Sequence, residues 1–336
     1  MSKTLYIFSS ATLKRRDNTL LIEVKNQGSH YMPIESVEEI LVMGEVEINK
    51  SLLEILSEKG IIIHFFEHYG GYIGTYYPPE SKNSSQVFLA QAAHWLNEQK
   101  RHELAAAFVI GAIGNMIKLV SYYQRRYENI QASDILEYLR FCLEQTPLTS
   151  DVQSLMGIEG TARNTYYQFF DRLISDDDFK IIKRVRRPPD NIMNALISFI
   201  NSICYSAVLT QIYHTHLDPR ISFLHSPSER RISLNLDISE IFKPVLVDRL
   251  IFSLINKRIL KASDFSSGQD GGIYASDNTR KIIIDTWEKS LRQTITYSYP
   301  SIKQKMGWRR IIRAEVLKVQ KYITDGTVYE PFIHKW

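Results

Sequence analysis

Residues 216–244 read HLDPRISFLHSPSERRISLNLDISEIFKP, and the apolar positions that follow, Val245, Leu246, Leu250 and Ile251, continue the stretch as a helix. His225, Asp237 and Glu240 all stand within it. Residues three apart on a helix share a face, so both carboxylates are able to point into one pocket. An imidazole nitrogen with carboxylate oxygens suits a hard-to-borderline divalent ion. Asp followed three residues later by Glu, ahead of an apolar run, is equally the pattern of a capping box. A histidine behind Phe223 and Leu224 also fits a core position. Both readings stand on spacing alone.

The rest of the chain frames this stretch. Its 336 residues, 44% hydrophobic and 23% charged, suggest about two domains and exclude a disordered or fibrous chain. A formal charge of +4 is slight when spread out, but clustered it attracts an anionic partner. The two cysteines, Cys142 and Cys204, lie in apolar helical stretches and offer neither a disulfide framework nor a zinc pattern, which favours a reducing cytoplasm. MSKTLYIFSS at the start lacks the charged-then-apolar run of a signal peptide, so a cytoplasmic protein is expected. Residues 191–213 carry no charge, yet Asn194, Ser198, Asn201 and Thr210 interrupt them. That polarity predicts a helix buried in a helical domain and no membrane partner.

Short β-branched or aromatic runs at 5–8, 20–24, 40–43, 46–48, 61–66 and 72–77 predict a strand-rich domain over residues 1–79. One helix, 50–59, is predicted inside it, stopped by Gly60, and Gly70-Gly71 predicts a closing hairpin. His64 and His68 near that hairpin are read as structural. Pro78-Pro79 and the polar run after them predict a linker at 80–86. Beyond it the period turns helical, with stripes at Ile110, Ile113, Ile117 and Val120 and at Leu136, Leu139 and Leu143. The fold class is therefore α+β: a small N-terminal β-rich domain, then a larger all-α domain over 87–336.

Three further features bear on function. Glu159 and Arg163 sit four apart on a helix among the small residues Gly157, Gly160 and Ala162, a spacing that a surface ion pair explains. Five cations, Lys180, Lys183, Arg184, Arg186 and Arg187, fall within eight positions ahead of Pro188-Pro189 and suit a phosphate backbone or a solvated loop. The basic theme returns in Lys303, Lys305, Arg309, Arg310, Arg313, Lys318 and Lys321, assigned to one helix. Gly268-Gln269-Asp270-Gly271-Gly272 lacks the lysine and hydroxyl of a phosphate-binding loop and reads as a hairpin turn or mobile loop.

Taken together these pieces resemble the CRISPR-associated adaptation integrase, the Cas-one family. Four motifs in order carry the likeness: Glu159-Gly160-Thr161-Ala162-Arg163; Arg187-Pro188-Pro189 leading into Asn194-Ala195-Leu196; Leu217-Asp218-Pro219 leading into Phe223-Leu224-His225; and Leu236-Asp237-Ile238-Ser239-Glu240 with Phe242-Lys243-Pro244. The resemblance implies a Mn2+ or Mg2+ ion held by Glu159, His225 and Glu240, with Asp237 as an auxiliary catalytic carboxylate. It implies insertion of short duplexes into a CRISPR array, a 3′ hydroxyl attacking a phosphodiester. Arg163, Arg184, Arg186, Arg187, Arg231 and Lys243 are the candidates for holding DNA phosphates. Lys243 stands where the family often has arginine and gives up the bidentate fork. Implied partners are double-stranded DNA, a second copy of the chain paired through the β domain, and a small companion Cas-two protein that completes a heterohexamer. A transposon-type integrase, a branched-DNA nuclease and a non-catalytic nucleic-acid scaffold are the alternatives.

Overall fold

The computed structural model describes residues 3–25, 28–78, 85–181, 183–185, 187–226, 232–299 and 302–336. Chain contacts divide it into two units, Met1–Lys82 and Asn83–Trp336. Of the linker expected at 80–86, residues 80–84 lie outside the described residues, and a helix begins at Ser85.

In the first unit the strands are β1 (Lys3–Ile7), β2 (Ala11–Arg16), β3 (Thr19–Val24), β4 (Gly28–Pro33), β5 (Val37–Val42), β6 (Val46–Ile48), β7 (Ile62–Phe66) and β8 (Tyr72–Tyr76). They form two four-stranded sheets, ordered β1-β5-β7-β8 and β4-β3-β2-β6. The helix α1 (Lys50–Lys59) has the expected bounds: the Asn49 side chain accepts from the Leu52 N–H, and Gly60 stops it at φ 67°. Leu13 and Leu20 of one sheet, Ile40 and Ile63 of the other, and Leu52 and Leu56 of α1 share one core. His64 is wholly buried, Nδ1 lying 2.7 Å from Thr75 Oγ1, and burial pushes its imidazole down to about 3. A neutral ring at pH 7 agrees with a structural role.

The second unit contains α2 (Ser85–Leu96), α3 (Glu98–Arg126), α4 (Ser133–Gln145), α5 (Val152–Leu173), α6 (Ile192–Tyr213), α7 (Leu234–Phe242), α8 (Arg249–Asn256), α9 (Asp277–Arg292) and α10 (Trp308–Asp325). It is mostly but not wholly helical. Two antiparallel hairpins interrupt it, β9 (Phe265–Ser267) with β10 (Ile273–Ala275), and β11 (Thr294–Tyr299) with β12 (Ile302–Gly307). The glycine loop is the turn of the first, closed by the Gly268 N–H on Gly272 O at 2.7 Å. The second corrects the single basic helix expected from the sequence, because Lys303 and Lys305 belong to β12 and only the later cations to α10. By length and apolarity α3 and α6 could each cross a membrane, but 78% of the apolar window of each is buried inside the fold. Both are core helices.

α3 is the spine, packed against α2, α4, α5 and α7. Its Gly111 and Gly114 leave a groove for the irregular segment after α10. A β-carbon at Gly111 would lie 2.7 Å from Pro331 Cβ, and one at Gly114 2.9 Å from Ile333 Cδ1. The buried Asn115 side chain fastens three pieces together: Nδ2 donates to Ile241 O at 2.8 Å and to Phe332 O at 2.9 Å, and Oδ1 accepts from the His334 N–H at 2.8 Å. Trp336 then stacks on Tyr122 at 4.6 Å between centroids. Removing the amide strands two carbonyls and an N–H away from water, so Asn115→Ala should cost about 3 kcal/mol. A urea-unfolding midpoint equivalent to under about 1 kcal/mol of loss would show that the segment is held by other means.

Candidate active site

Pro244 lacks an N–H, and its ring crowds the carbonyl four residues earlier, so the helix carrying the carboxylates cannot continue at α-helical pitch. The chain widens into a π-helical turn over Lys243–Asp248 before α8 resumes. This turn brings Lys243 and Asp248 to the same region as Glu240 on α7 and Arg163 on α5.

Arg163 joins the two helices. Its Nε donates to Glu159 Oε1 at 3.1 Å, and Nη2 donates to Glu240 Oε2. Lys243 Nζ donates to the other oxygen of Glu240. The pair expected between Glu159 and Arg163 thus forms, but as one arm of a buried network. Glu240 is only 6% exposed. Burial works against its charge, and Lys243, Arg163 and His225 more than overcome that penalty, holding the carboxyl well below the usual range. Burial opposes the ammonium of Lys243 likewise, and Glu240 restores it.

Asp237 is fully buried and does not cap its own helix. Oδ2 accepts from the backbone N–H groups of Phe223 at 2.7 Å and Leu224 at 3.0 Å, while Oδ1 accepts from the His225 N–H at 3.0 Å and from its ring Nδ1 at 2.7 Å. The N-cap is Ser233, whose side chain makes no capping bond to the helix, so the capping-box reading gives way to a loop anchor. With Nδ1 donating to the Asp237 carboxylate, Nε2 is the nitrogen left with a lone pair to accept. Burial pulls the imidazole pKa down, and the bond to Asp237, with the charges of Asp237 and Glu240, raises it beyond that loss. The ring is one-third exposed, at 33%.

Two members of the cluster escaped the sequence reading. Asp248 is 2% exposed and accepts the Tyr166 O–H at 3.0 Å, and burial pushes its carboxyl up to about 6. An acid inside the apolar run Val245 to Phe252 was the available signal. Tyr166 falls one turn after Arg163 on α5 and carried no signal of its own.

The structure brings Glu159 and Glu240 together through Arg163 and sets His225 within electrostatic reach of Glu240. Among the described residues no three His, Cys, Asp or Glu side chains lie close enough as placed to share an ion. Both oxygens of Glu240 are engaged by cations instead. Of the DNA candidates, Arg163 and Lys243 are committed to these carboxylates. Arg184 braces the basic segment on α6, Nη1 donating to Asn194 Oδ1 at 3.0 Å and Nη2 to Ser198 Oγ at 3.1 Å. Arg187 is exposed, and Arg186 and Arg231 lie outside the described residues.

With this geometry in hand, comparison with known proteins is specific. The family model described as CRISPR associated protein Cas1 matches residues 5–289. A CRISPR-associated endonuclease Cas1 from Thermodesulfovibrio yellowstonii is 44% identical over 336 residues, 100% of each chain. The solved structure of a Cas1 protein from Thermotoga maritima superposes with a TM-score of 0.86 at 41% identity, over 97% of this chain and 99% of that one. A casposase bound to integration product gives the same TM-score of 0.86 at 18% identity, over 99% of this chain and 96% of that one, a likeness of fold. The four motifs thus stand in a chain that shares its full length with a named endonuclease, and the chain belongs to the CRISPR-associated Cas1 family.

Proposed function

We propose that this protein inserts short DNA duplexes into a CRISPR array, with Mg2+ or Mn2+ held by Glu159, His225 and Glu240. The observation that carries the reading is the buried, ionised Glu240 between Arg163 and Lys243, beside a histidine oriented by Asp237. A buried carboxylate costs several kcal/mol unless it is neutralised, and here positive charge supplied by the protein does so. The donor types suit a divalent ion, two carboxylates and an imidazole whose second nitrogen is fixed by a hydrogen bond, and holding one would require Glu240 to exchange Arg163 and Lys243 for the ion, since as placed the three groups do not converge. With an ion bound at Glu240 the carboxylate would no longer need Arg163 and Lys243, and these two side chains would be the ones to hold phosphate oxygens.

When bound, such an ion polarises the phosphoryl group and favours ionisation of the attacking hydroxyl. The reaction is a transesterification. The incoming 3′ oxygen forms a bond to phosphorus, the repeat strand's 3′ oxygen leaves, and the proton lost by the first equals the one gained by the second. No redox partner or energy source is needed. Asp237 keeps the His225 ring oriented throughout, and the two cations balance charge on the equatorial phosphate oxygens. The partners that follow are double-stranded DNA, a second copy of the chain and a small Cas-two companion.

Calorimetric titration with Mn2+ is expected to show one ion per chain in the millimolar range or tighter, with the heat lost in Glu159→Gln. Joining of a duplex to a plasmid carrying a repeat array is expected to stop in EDTA and return with excess Mn2+. Joining that persisted in EDTA would overturn the assignment, and free hydrolysis without joining would favour a nuclease.

A further inference from the structure

We propose that the β11–β12 ribbon is a second DNA-contacting surface, a row of phosphate contacts formed by residues outside the carboxylate cluster; the inference rests on the DNA-joining reading above. Antiparallel register places Thr296 opposite Lys305 and Ser298 opposite Lys303. Side chains directly opposite one another share a face of the ribbon, and alternation along each strand keeps all four on it. Thr296, Ser298, Lys303 and Lys305 are exposed. The other face is fixed to the domain: Tyr297 and Met306 are buried, and Tyr297 stacks parallel to Phe332 at 6.2 Å. The ribbon is thus held from behind and presents a cationic, hydroxyl-bearing front.

Its charge is not internally balanced. Between Leu291 and Glu315 the sequence holds no Asp or Glu but six cations, Arg292, Lys303, Lys305, Arg309, Arg310 and Arg313. Arg309 is paired with Glu288 at 2.7 Å, and Arg313 donates to His214 O at 3.3 Å. Lys303, Lys305 and Arg310 are exposed and have no acidic partner among the described residues. Two lysines on one face of one strand repel each other, and the residues across from them are hydroxyls where an acid would have stabilised the pair. An external anion restores the balance. Lysines two apart on a strand stand about 6.6 Å apart, far enough for each ammonium to take a different phosphate of one DNA strand. Ser and Thr hydroxyls also donate to phosphate oxygens, and such contacts position a duplex without reading its sequence.

The test uses the full chain and a mixed-sequence duplex. In the double variant Lys303→Ala/Lys305→Ala, affinity at low salt should fall at least tenfold. The slope of log K against log salt should shrink by about 1.8, that is, about 0.9 for each of two phosphates. A control with Lys118→Ala and Lys289→Ala, also exposed and equal in charge lost, should keep the native slope. Unchanged thermal melting of the ribbon variant confirms that it folds. Equal slopes for native and ribbon variant, with joining intact, would overturn the ribbon alone. So would unchanged DNA binding with lost binding to polyglutamate, which would make the ribbon a site for an acidic protein. Native protein that bound DNA with the steeper slope yet joined no ends would sink the joining reading and still support the ribbon.

Discussion

His225→Ala is expected to lower strand joining by at least about a thousandfold while leaving duplex binding and melting temperature near native values. Losing an ion's contribution of several kcal/mol to the transition state, at 1.36 kcal/mol per tenfold, corresponds to about that factor. The ring is one-third exposed, so its removal opens little cavity, and its backbone N–H keeps its bond to Asp237. Glu240→Ala should abolish joining equally but differ in stability. It leaves Arg163 and Lys243 buried together without the carboxylate that neutralises both, a fault worth about 3–5 kcal/mol. Glu240→Gln preserves volume and separates the two effects, since it should fold better than the alanine variant and join no better. A plasmid-joining assay in Mg2+ and in Mn2+, run beside chemical unfolding, reads both quantities. Native-rate joining by His225→Ala in either metal would show that the imidazole is not part of the reacting site.

Asp237→Ala should be the most destabilising single change in the cluster, by about 4–5 kcal/mol. One carboxylate holds three consecutive backbone N–H groups and the ring of His225, and it is fully buried. Hydrogen bonds to a charged group contribute about 1.5–3 kcal/mol each, and donors left dry cost more than donors returned to water. Asp237→Asn should recover little, because its amide hydrogens replace one of the two accepting oxygens and face donors. A urea midpoint for Asp237→Ala equivalent to less than about 1 kcal/mol of loss would mean that the loop at 223–225 does not depend on this anchor.

Local signals were the legible part of the fold. α1 was readable to the residue because Asn49 and Gly60 mark its two ends by side chain and by positive φ. β2 and β4 were not found, since ATLKRR and GSHYMP carry cations or polar groups on an exposed face, and β4 lies at a sheet edge. Lys303 and Lys305 went to a helix because the alternation of Ile302 to Met306 abuts, across Gly307, a strongly amphipathic α10. Of the candidate site, Glu159, His225, Asp237 and Glu240 were the residues that motifs could single out. The contacts that set their state join residues far apart in the chain: Arg163 with Glu240, 77 residues away, and Tyr166 with Asp248, 82 away. No local pattern encodes those pairings. The capping-box spacing misled for the same reason, since Asp237 found better donors in a distant loop than in its own first turn.

The fastening of α7 to α3 depends on an order of events during synthesis. Asn115 holds Ile241, the neighbour of Glu240, and shares that amide with Phe332, a partner 217 residues further along the chain. A nascent chain that has just released α7 from the ribosome therefore has the helix of Asp237 and Glu240 without the final fastening, and the groove at Gly111 and Gly114 stays open. Residues made well after α7 complete the clasp, so a copy whose synthesis stops between them carries the acids without the bonds with Phe332 and His334 that fix their helix.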